Sequence, residues 1–285
     1  MLEILEEAII DTIKLLPFLF VTYLIMEYIE HKMNEKTKNT IKKSGKWGPL
    51  LGGIVGIIPQ CGFSASATNL YAGRVITLGT LISVYLTTSD EMIPILISES
   101  VSLGVILEIL AIKFIIGIIS GFVIDFIIRK THKNNNEEQS EHIEDLCHNE
   151  HCHCEEDGIL KSAAKHTLNI LVYIFIITLV INAIVYFVGE DNIANFVENY
   201  AILGPFISSL IGLIPNCAAS VILTNLYVEN IINIASLIAG LLTGAGVGLI
   251  VLFRMNKNIK ENIKIVAILY CIGALSGIVL QLFAI

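Results

Sequence analysis

The sequence predicts an all-α polytopic membrane protein built from two inverted repeats, and three observations support this prediction. Hydrophobic residues make up 54% of the 285 residues and charged residues only 15%, whereas charged residues are about a quarter of a soluble domain. Several apolar stretches approach the roughly 20 residues that a helix needs to cross a bilayer. The stretch Gly48–Tyr71 also recurs as Gly204–Tyr227, where 11 of the 24 aligned positions are identical.

Each repeat is predicted to contain three transmembrane helices and one re-entrant helical hairpin, which gives ten helical segments. In the first repeat, residues 1–130, the segment 32–46 carries six lysines and is cytoplasmic by the positive-inside rule. Residues 48–58 make only about 16 Å of helix before Pro59, so the hairpin at 48–73 is expected to turn near the membrane midplane and return to the cytoplasmic side. The other predicted segments are a first span at 3–29, a span at 75–88, an acidic exterior segment at 89–100 and a span at 102–128.

The second repeat, residues 161–285, is predicted to follow the same order, with spans at 168–188, 231–253 and 265–285 and a hairpin at 204–229. Three crossings per repeat is an odd number, so the second repeat is expected to be upside down relative to the first. Both termini are then outside, and the protein is expected in the cytoplasmic (inner) membrane. This arrangement leaves 16 of the 18 Lys and Arg residues on the cytoplasmic side. Inverted repeats with broken helices at the midplane are typical of secondary transporters.

The two hairpin tips are predicted to form a substrate site. A helix that breaks inside a membrane exposes backbone groups, which is tolerated only where protein or a water-filled cavity satisfies them. Two cysteine sulfurs beside amide and hydroxyl oxygens suit a thiophilic metal or metalloid, although two thiols are too few for a closed structural zinc site. The structural alternative is that proline and small residues only kink packed helices around buried thiols. The candidate substrate-binding residues are Gln60, Cys61, Ser64 and Asn69 from the first hairpin and Asn216, Cys217, Ser220 and Asn225 from the second.

The segment 131–160, between the repeats, is predicted to be a cytoplasmic loop rich in His, Cys and acidic residues. Its candidate metal ligands are Cys147, His148, His151, Cys152, His153 and Cys154. Imidazole and thiolate ligands suit zinc, copper, nickel or cobalt, whereas manganese prefers oxygen ligands. We interpret the loop as a chelator or sensor of a soft divalent metal, with a plain linker as the alternative. No permanently bound cofactor is expected.

Two ionisable residues fall inside a predicted span, where such groups are costly and often functional. Glu108 and Lys113 are the candidates for coupling transport to proton movement, and pairing with each other is the alternative. Asp90 and Glu91 are expected at the outer rim, and lining an exit pathway is the alternative. The formal charge of −8 comes from loops, and the sequence has no G-x-x-x-x-G-K-[ST] motif. The sequence therefore predicts neither nucleic-acid binding nor a nucleotide-driven pump.

Through GIIPQCGFSASA, GLIPNCAAS and the His/Cys-bearing loop, and over essentially the whole chain, the sequence resembles the ten-helix heavy-metal exporters. That family is often labelled as manganese transporters and is related to organoarsenical efflux permeases. The resemblance implies export of a metal or metalloid and implicates Cys61 and Cys217. We therefore predict a secondary-active exporter and not an enzyme. Its expected partners are the lipid bilayer and its metal or metalloid substrate, and a homo-oligomer is left open. A transporter of a small sulfur-containing anion and an intramembrane thiol oxidoreductase are the competing hypotheses.

Overall fold

The computed structural model describes residues 2–32, 47–89, 92–131, 159–188 and 203–283, and these ranges contain helices and no strand. Six segments within them are long and apolar enough to cross a membrane: Ala8–Ile25, Leu78–Ser98, Leu103–Thr131, Ala163–Ile184, Ile234–Met255 and Ile259–Leu282. The helices of the described residues, in chain order, are α1 (Leu2–Lys32), α2 (Gly48–Gly56), α3 (Cys61–Ala72), α4 (Leu78–Thr87), α5 (Met92–Ser98), α6 (Leu103–Thr131), α7 (Ile159–Val188), α8 (Gly204–Gly212), α9 (Cys217–Val228), α10 (Ile234–Thr243), α11 (Val247–Met255) and α12 (Ile259–Leu282). The six spans together with α2, α3, α8 and α9 make the ten segments that the sequence predicts.

The two predicted hairpins are pairs of short helices. The first pair is α2 and α3, and the second pair is α8 and α9. Pro59 and Pro215 lie in the turns, where a missing N–H and a bulky ring prevent the first helix of each pair from continuing. Gln60 and Asn216 then take extended backbone, with φ of −161° and −149°, and the second helix of each pair starts at the next residue. Both breaks lie where the sequence predicts them.

Two further helix breaks correct the predicted spans. The span predicted at 75–88 is instead the discontinuous pair α4 and α5, and Met92 and Leu96, predicted to be exterior, are fully buried. The span predicted as continuous at 231–253 is the pair α10 and α11, separated at Gly244. The acidic residues of the segment 89–100 suggested an exterior loop. Its apolar residues instead form the separate helix α5, which packs into the core through Met92 and Leu96. Asp90 and Glu91, predicted as rim residues, lie outside the described residues.

The internal packing of the first repeat recurs in the second. A Cβ atom added to Gly48 would lie 2.1 Å from Oγ1 of Thr80, so α2 crosses α4 at very close range. At the equivalent positions a Cβ on Gly204 would lie 2.4 Å from Oγ of Ser236, where α8 crosses α10. Small residues permit this close approach between membrane helices. The duplication seen in the sequence is therefore also a duplication of helix packing.

The first helices of the two repeats pack against each other. Near the end of α1, the ring of Tyr23 stacks on the ring of His166, near the start of α7, with centroids 5.5 Å apart. The two helices have 31 and 30 residues, and with this contact they overlap over almost their whole length if they run in opposite directions and over about half of it if they run in the same direction. The longer overlap agrees with the predicted inversion of the second repeat, which stays a prediction.

The discontinuous spans α4–α5 and α10–α11 lie at the centre of the molecule. Leu81, Ile82 and Leu86 in α4, and Leu237 and Ile238 in α10, are fully buried in one apolar cluster that joins the two repeats. The outer spans α1, α6, α7 and α12 instead expose many large apolar side chains, which is expected of surfaces that face lipid. The polar backbone of the two breaks is therefore enclosed by protein.

We expect Gly121→Ala to destabilise the protein and Gly104→Ala, in the same helix, to be harmless. A Cβ at Gly121 would lie 2.6 Å from the carbonyl oxygen of Gly79 and 2.8 Å from Cβ of Pro49, whereas the nearest atom to a Cβ at Gly104 is 3.9 Å away. Overpacking of this kind costs about 1–3 kcal/mol, while alanine in an open helical position stabilises by about 0.4–1 kcal/mol. Thermal unfolding of the purified protein in detergent measures both changes. Equal melting temperatures for the two variants would contradict the tight α4–α6 contact.

Candidate functional site

The centre of the candidate site is a pair of thiols. Cys61 is the first residue of α3 and Cys217 the first residue of α9. Their Sγ atoms are 3.6 Å apart, and each residue is only 6% exposed. A disulfide would have its sulfurs about 2.04 Å apart, so both cysteines are free thiols. The tips of the two hairpins, 156 residues apart in the chain, therefore meet at their cysteines.

The separation of the two sulfurs suits binding of one ion by both. Zinc–sulfur bonds are about 2.3 Å long and the ion is tetrahedral, which places two bound thiolates about 3.8 Å apart. The observed 3.6 Å is close to this value. Thiolates of Cys61 and Cys217 can therefore share a soft ion with little movement of the backbone. Since only two sulfurs meet here, the rest of the ion's coordination shell stays open.

Apolar side chains enclose the two thiols. The cluster that contains them is formed by α1, α3, α7, α9 and α11, and its other buried members are Leu15, Leu19, Tyr23, Ala65, Ala163, Ile170, Leu171, Ile174, Val247, Ile250 and Val251. Water is largely excluded from such surroundings, which strengthens electrostatic attraction between a thiolate and a cation.

The two hairpin serines do not point their protons at the thiols. Ser64 donates to the carbonyl oxygen of Cys61 and Ser220 to that of Cys217, both at 2.8 Å. The same arrangement in both hairpins is another consequence of the duplication. Each hydroxyl retains lone pairs, so these serines can contribute oxygen acceptors but no donors.

The residues before the two cysteines have different partners. Oδ1 of Asn216 accepts the backbone N–H of Cys217 at 2.6 Å, and its Nδ2 donates to Oδ1 of Asn182. Gln60 makes no such cap on α3 and is only partly buried. Asn182 lies in α7 and was missed by the sequence analysis, which considered only ionisable residues within spans. The signal available in the sequence was an amide side chain well inside a predicted span, where a polar group needs a hydrogen-bond partner.

The remaining predicted amides lie away from the thiols. Asn69 and Asn225 are eight residues beyond the cysteines in α3 and α9, which corresponds to about 12 Å along a helix. Asn69 is fully buried, and its Oδ1 accepts a long hydrogen bond of 3.5 Å from the Tyr23 hydroxyl. These two residues lie about two turns beyond the hairpin tips, as the helix spacing predicts.

A second polar feature is a small cavity between the second hairpin and the two breaks in the central spans. Its volume is about 10 Å³, which is room for about one water molecule. It is lined by Thr88, Ser89, Gly212, Asn216, Ala219, Ser220, Gly240, Leu241, Gly244 and Gly246. The lining combines hydroxyl and amide side chains with glycines and apolar side chains. The predicted site is thus divided into a thiol pair and a small cavity, and Asn216 lines the cavity and caps the backbone N–H of Cys217.

The two predicted coupling residues lie on different faces of α6. Lys113 is fully buried, and its Nζ donates to the carbonyl oxygens of Thr88 and Leu241, the latter at 3.1 Å. Glu108 is exposed. The structure therefore associates Lys113 with the cavity and separates Glu108 from it.

The six predicted loop ligands, Cys147, His148, His151, Cys152, His153 and Cys154, lie outside the described residues, so the metal-binding loop stays a prediction. Within the described ranges no group of three or more His, Cys, Asp and Glu side chains could hold a metal ion.

A polar contact joins the two repeats. Both terminal guanidinium nitrogens of Arg74 donate to the carboxylate of Glu261, at 3.2 and 3.3 Å, and the Tyr71 hydroxyl donates to the same carboxylate. Asn256 adds a hydrogen bond of 3.2 Å. Arg74 follows the first hairpin, whereas Glu261 lies in the first turn of α12. Sequence analysis did not single out Glu261, because a glutamate at a helix start is commonly a simple surface residue.

The ten helical segments and the paired breaks define a multi-pass membrane protein with discontinuous helices at its centre. The model of the family described as "Putative, 10TM heavy-metal exporter" matches residues 2–156 and 144–279. The chain belongs to this family, which confirms the resemblance seen in the sequence. A search of curated proteins and a search of solved structures gave no significant match.

Proposed function

We propose that this protein is a secondary-active exporter of a soft metal ion or metalloid, which binds between Cys61 and Cys217. The observation that carries the proposal is the 3.6 Å separation of two buried sulfurs. Thiolate ligands select soft ions, and an open coordination shell allows the ion to leave again. The proposed substrate is therefore a zinc-like or softer ion and not manganese.

Each repeat supplies one of the two sulfurs, and this arrangement suits transport by alternating access. An ion bound to both thiolates contacts both repeats at once. Movement of one repeat against the other then separates the sulfurs and weakens the binding on the side where the ion is released. Discontinuous helices at the interface of inverted repeats have this role in other secondary transporters. The proposed orientation has the first hairpin entering from the cytoplasm and the second from outside.

A small sulfur-containing anion is the alternative substrate that one observation favours. The N-terminal ends of α3 and α9 meet at Cys61 and Cys217, and helix N-termini attract negative charge. Such an anion would bind to backbone N–H groups and would not need the sulfurs as ligands. Transport that requires the thiols of Cys61 and Cys217 would indicate a soft metal ion or metalloid, whereas transport that does not require them would indicate the anion.

The test is accumulation in bacterial cells that lack the gene and in the same cells with the gene restored. We expect restoration to lower the cell content of at least one of zinc, cadmium, copper or trivalent arsenic, and to leave manganese and thiosulfate unchanged. A change confined to thiosulfate would favour the anion transporter. Unchanged contents for the whole panel would contradict export of a soft ion.

A further inference from the structure

Lys113 is a buried lysine whose ammonium group lies between the two repeats. It belongs to α6 of the first repeat and is fully buried. Its Nζ donates to the carbonyl oxygen of Thr88 at the end of α4, and to that of Leu241 in the last turn of α10, in the second repeat. Ionisable groups at membrane depth are rare and usually functional.

The two carbonyl groups are available because both central spans break next to them. In a continuing helix the N–H of Ala245 would donate to Leu241, but here it donates to the carbonyl of Thr243 at 2.9 Å. Thr88 is likewise the residue after the last turn of α4. Carbonyls at helix C-termini carry partial negative charge and favour cations. The two helix breaks thus create a cation site, and the ammonium of Lys113 occupies it.

Thr88 and Leu241, whose carbonyls bind Lys113, also line the cavity beside the tip of the second hairpin. Asn216 and Ser220 line the same cavity. A metal cation that approached the thiols through this cavity would come close to the positive charge of Lys113. Two cations repel strongly in a buried site, where solvent screening is weak. The ion and the charged lysine therefore compete for the same region.

We propose that Lys113 is a tethered cation that gives up its proton when the transported cation binds. This inference rests on the proposed function and narrows it, because it requires a charged substrate and not a neutral metalloid. Binding on the cytoplasmic side converts the ammonium to the amine and transfers its proton to water in the cavity. After the cation leaves on the outside, the amine takes a proton from outside water. Lys113 thus contributes one incoming proton to each cycle, in addition to the protons that the thiols of Cys61 and Cys217 release when the cation binds and take up again when it leaves.

The ionisable groups on the described helices that pack against Lys113 are few. Among the described residues, the helices α2, α5 and α10 that pack on α6 carry no ionisable side chain, and α4 carries only Tyr85. The Tyr85 hydroxyl is bonded to Thr68 and to the carbonyl of Gly248. Asp90 and Glu91 lie outside the described residues. The described charge nearest in sequence on α6 itself is Glu108, which is exposed.

The test uses everted membrane vesicles loaded at acidic pH, with Cd²⁺ as the transported probe. In the wild type we expect an acidic interior to accelerate Cd²⁺ uptake. Lys113→Gln is expected to respond less to the acidic interior than the wild type, because only the protons of the two thiols then exchange for Cd²⁺. Lys113→Arg is expected to lose uptake, because arginine keeps its proton. The matched control is Lys130→Gln, which makes the same change at an exposed position of α6 and should keep the wild-type response.

A wild-type pH response in Lys113→Gln would overturn the inference while leaving the proposed function in place. If the wild type itself transports no Cd²⁺, the proposed function fails for this ion. A second measurement, which does not depend on transport, then tests whether the carbonyls of Thr88 and Leu241 form a cation site. In that measurement, ethylammonium should raise the melting temperature of purified Lys113→Ala, or the yield of folded protein, and leave Lys130→Ala unaffected. No response of Lys113→Ala to ethylammonium would overturn the cation site.

Discussion

Replacing Cys61 and Cys217 together with serine is expected to abolish metal transport while leaving the protein folded. The two sulfurs are the soft ligands of the candidate site, and they are 3.6 Å apart. Loss of residues that merely support a metal ligand costs about 10–100-fold in affinity, so loss of a ligand itself is expected to cost more than about 100-fold in transport. Serine is nearly the same size as cysteine, which preserves the packing of the apolar cluster around the thiols.

The measurement is metal efflux from cells that carry wild-type or variant protein, with protein levels checked in the membrane fraction. Each single variant is expected to lose most of the activity, because one of the two repeats then lacks its sulfur ligand. Cys271→Ser is the matched control, since Cys271 is an exposed thiol on α12. Normal efflux by the double variant would remove the thiol pair from the mechanism. A disulfide between Cys61 and Cys217 in the purified protein, cycling with turnover, would instead support the thiol oxidoreductase.

Breaking the contact between Arg74 and Glu261 is expected to open one end of the transporter. The side chains of this ion pair are 33% and 22% exposed, and the pair joins the first hairpin to α12 of the second repeat. Hydrogen bonds to charged groups contribute about 1.5–3 kcal/mol each, and partial exposure favours the lower end of that range. Loss of about 1.4 kcal/mol shifts a conformational equilibrium about tenfold. Glu261→Gln should therefore populate a state open on the side that the positive-inside rule assigns to the cytoplasm.

The rate at which N-ethylmaleimide labels Cys61 and Cys217 measures this opening, because both thiols are buried in the structure described above. The background has serine in place of the other four cysteines, which are Cys147, Cys152, Cys154 and Cys271. Glu261→Gln and Arg74→Ala should label about tenfold faster than the background protein. The charge exchange Arg74→Glu with Glu261→Arg should slow labelling again.

Arg129→Ala is the control for this experiment. Arg129 lies 3.9 Å from Asp125, one turn away on the same helix. Its substitution removes this ion pair within the first repeat and should leave labelling slow. Labelling of Glu261→Gln at the background rate would show that the Arg74–Glu261 contact does not hold the repeats together.

The hairpins and their cysteines could be predicted from the sequence because their signals are local. A proline stops a helix wherever it stands, and the recurrence of Pro59 and Cys61 at Pro215 and Cys217 marks two equivalent turns. The breaks in the central spans lack such a signal. No proline occurs at residues 88–89 or at Gly244. The polar residues of the first break predicted an exterior loop, and the apolar residues on both sides of Gly244 predicted a continuous span.

The sequence by itself determined the membrane class, the ten segments and the pairing of the two hairpins, since composition, proline positions and repetition express these directly. Only the tertiary structure decided which polar groups meet. Lys113 reaches a carbonyl 128 residues away, and Arg74 a carboxylate 187 residues away. Such contacts depend on which helix faces pack together and on where a helix unwinds. Both are outcomes of global packing, which a local residue pattern does not encode.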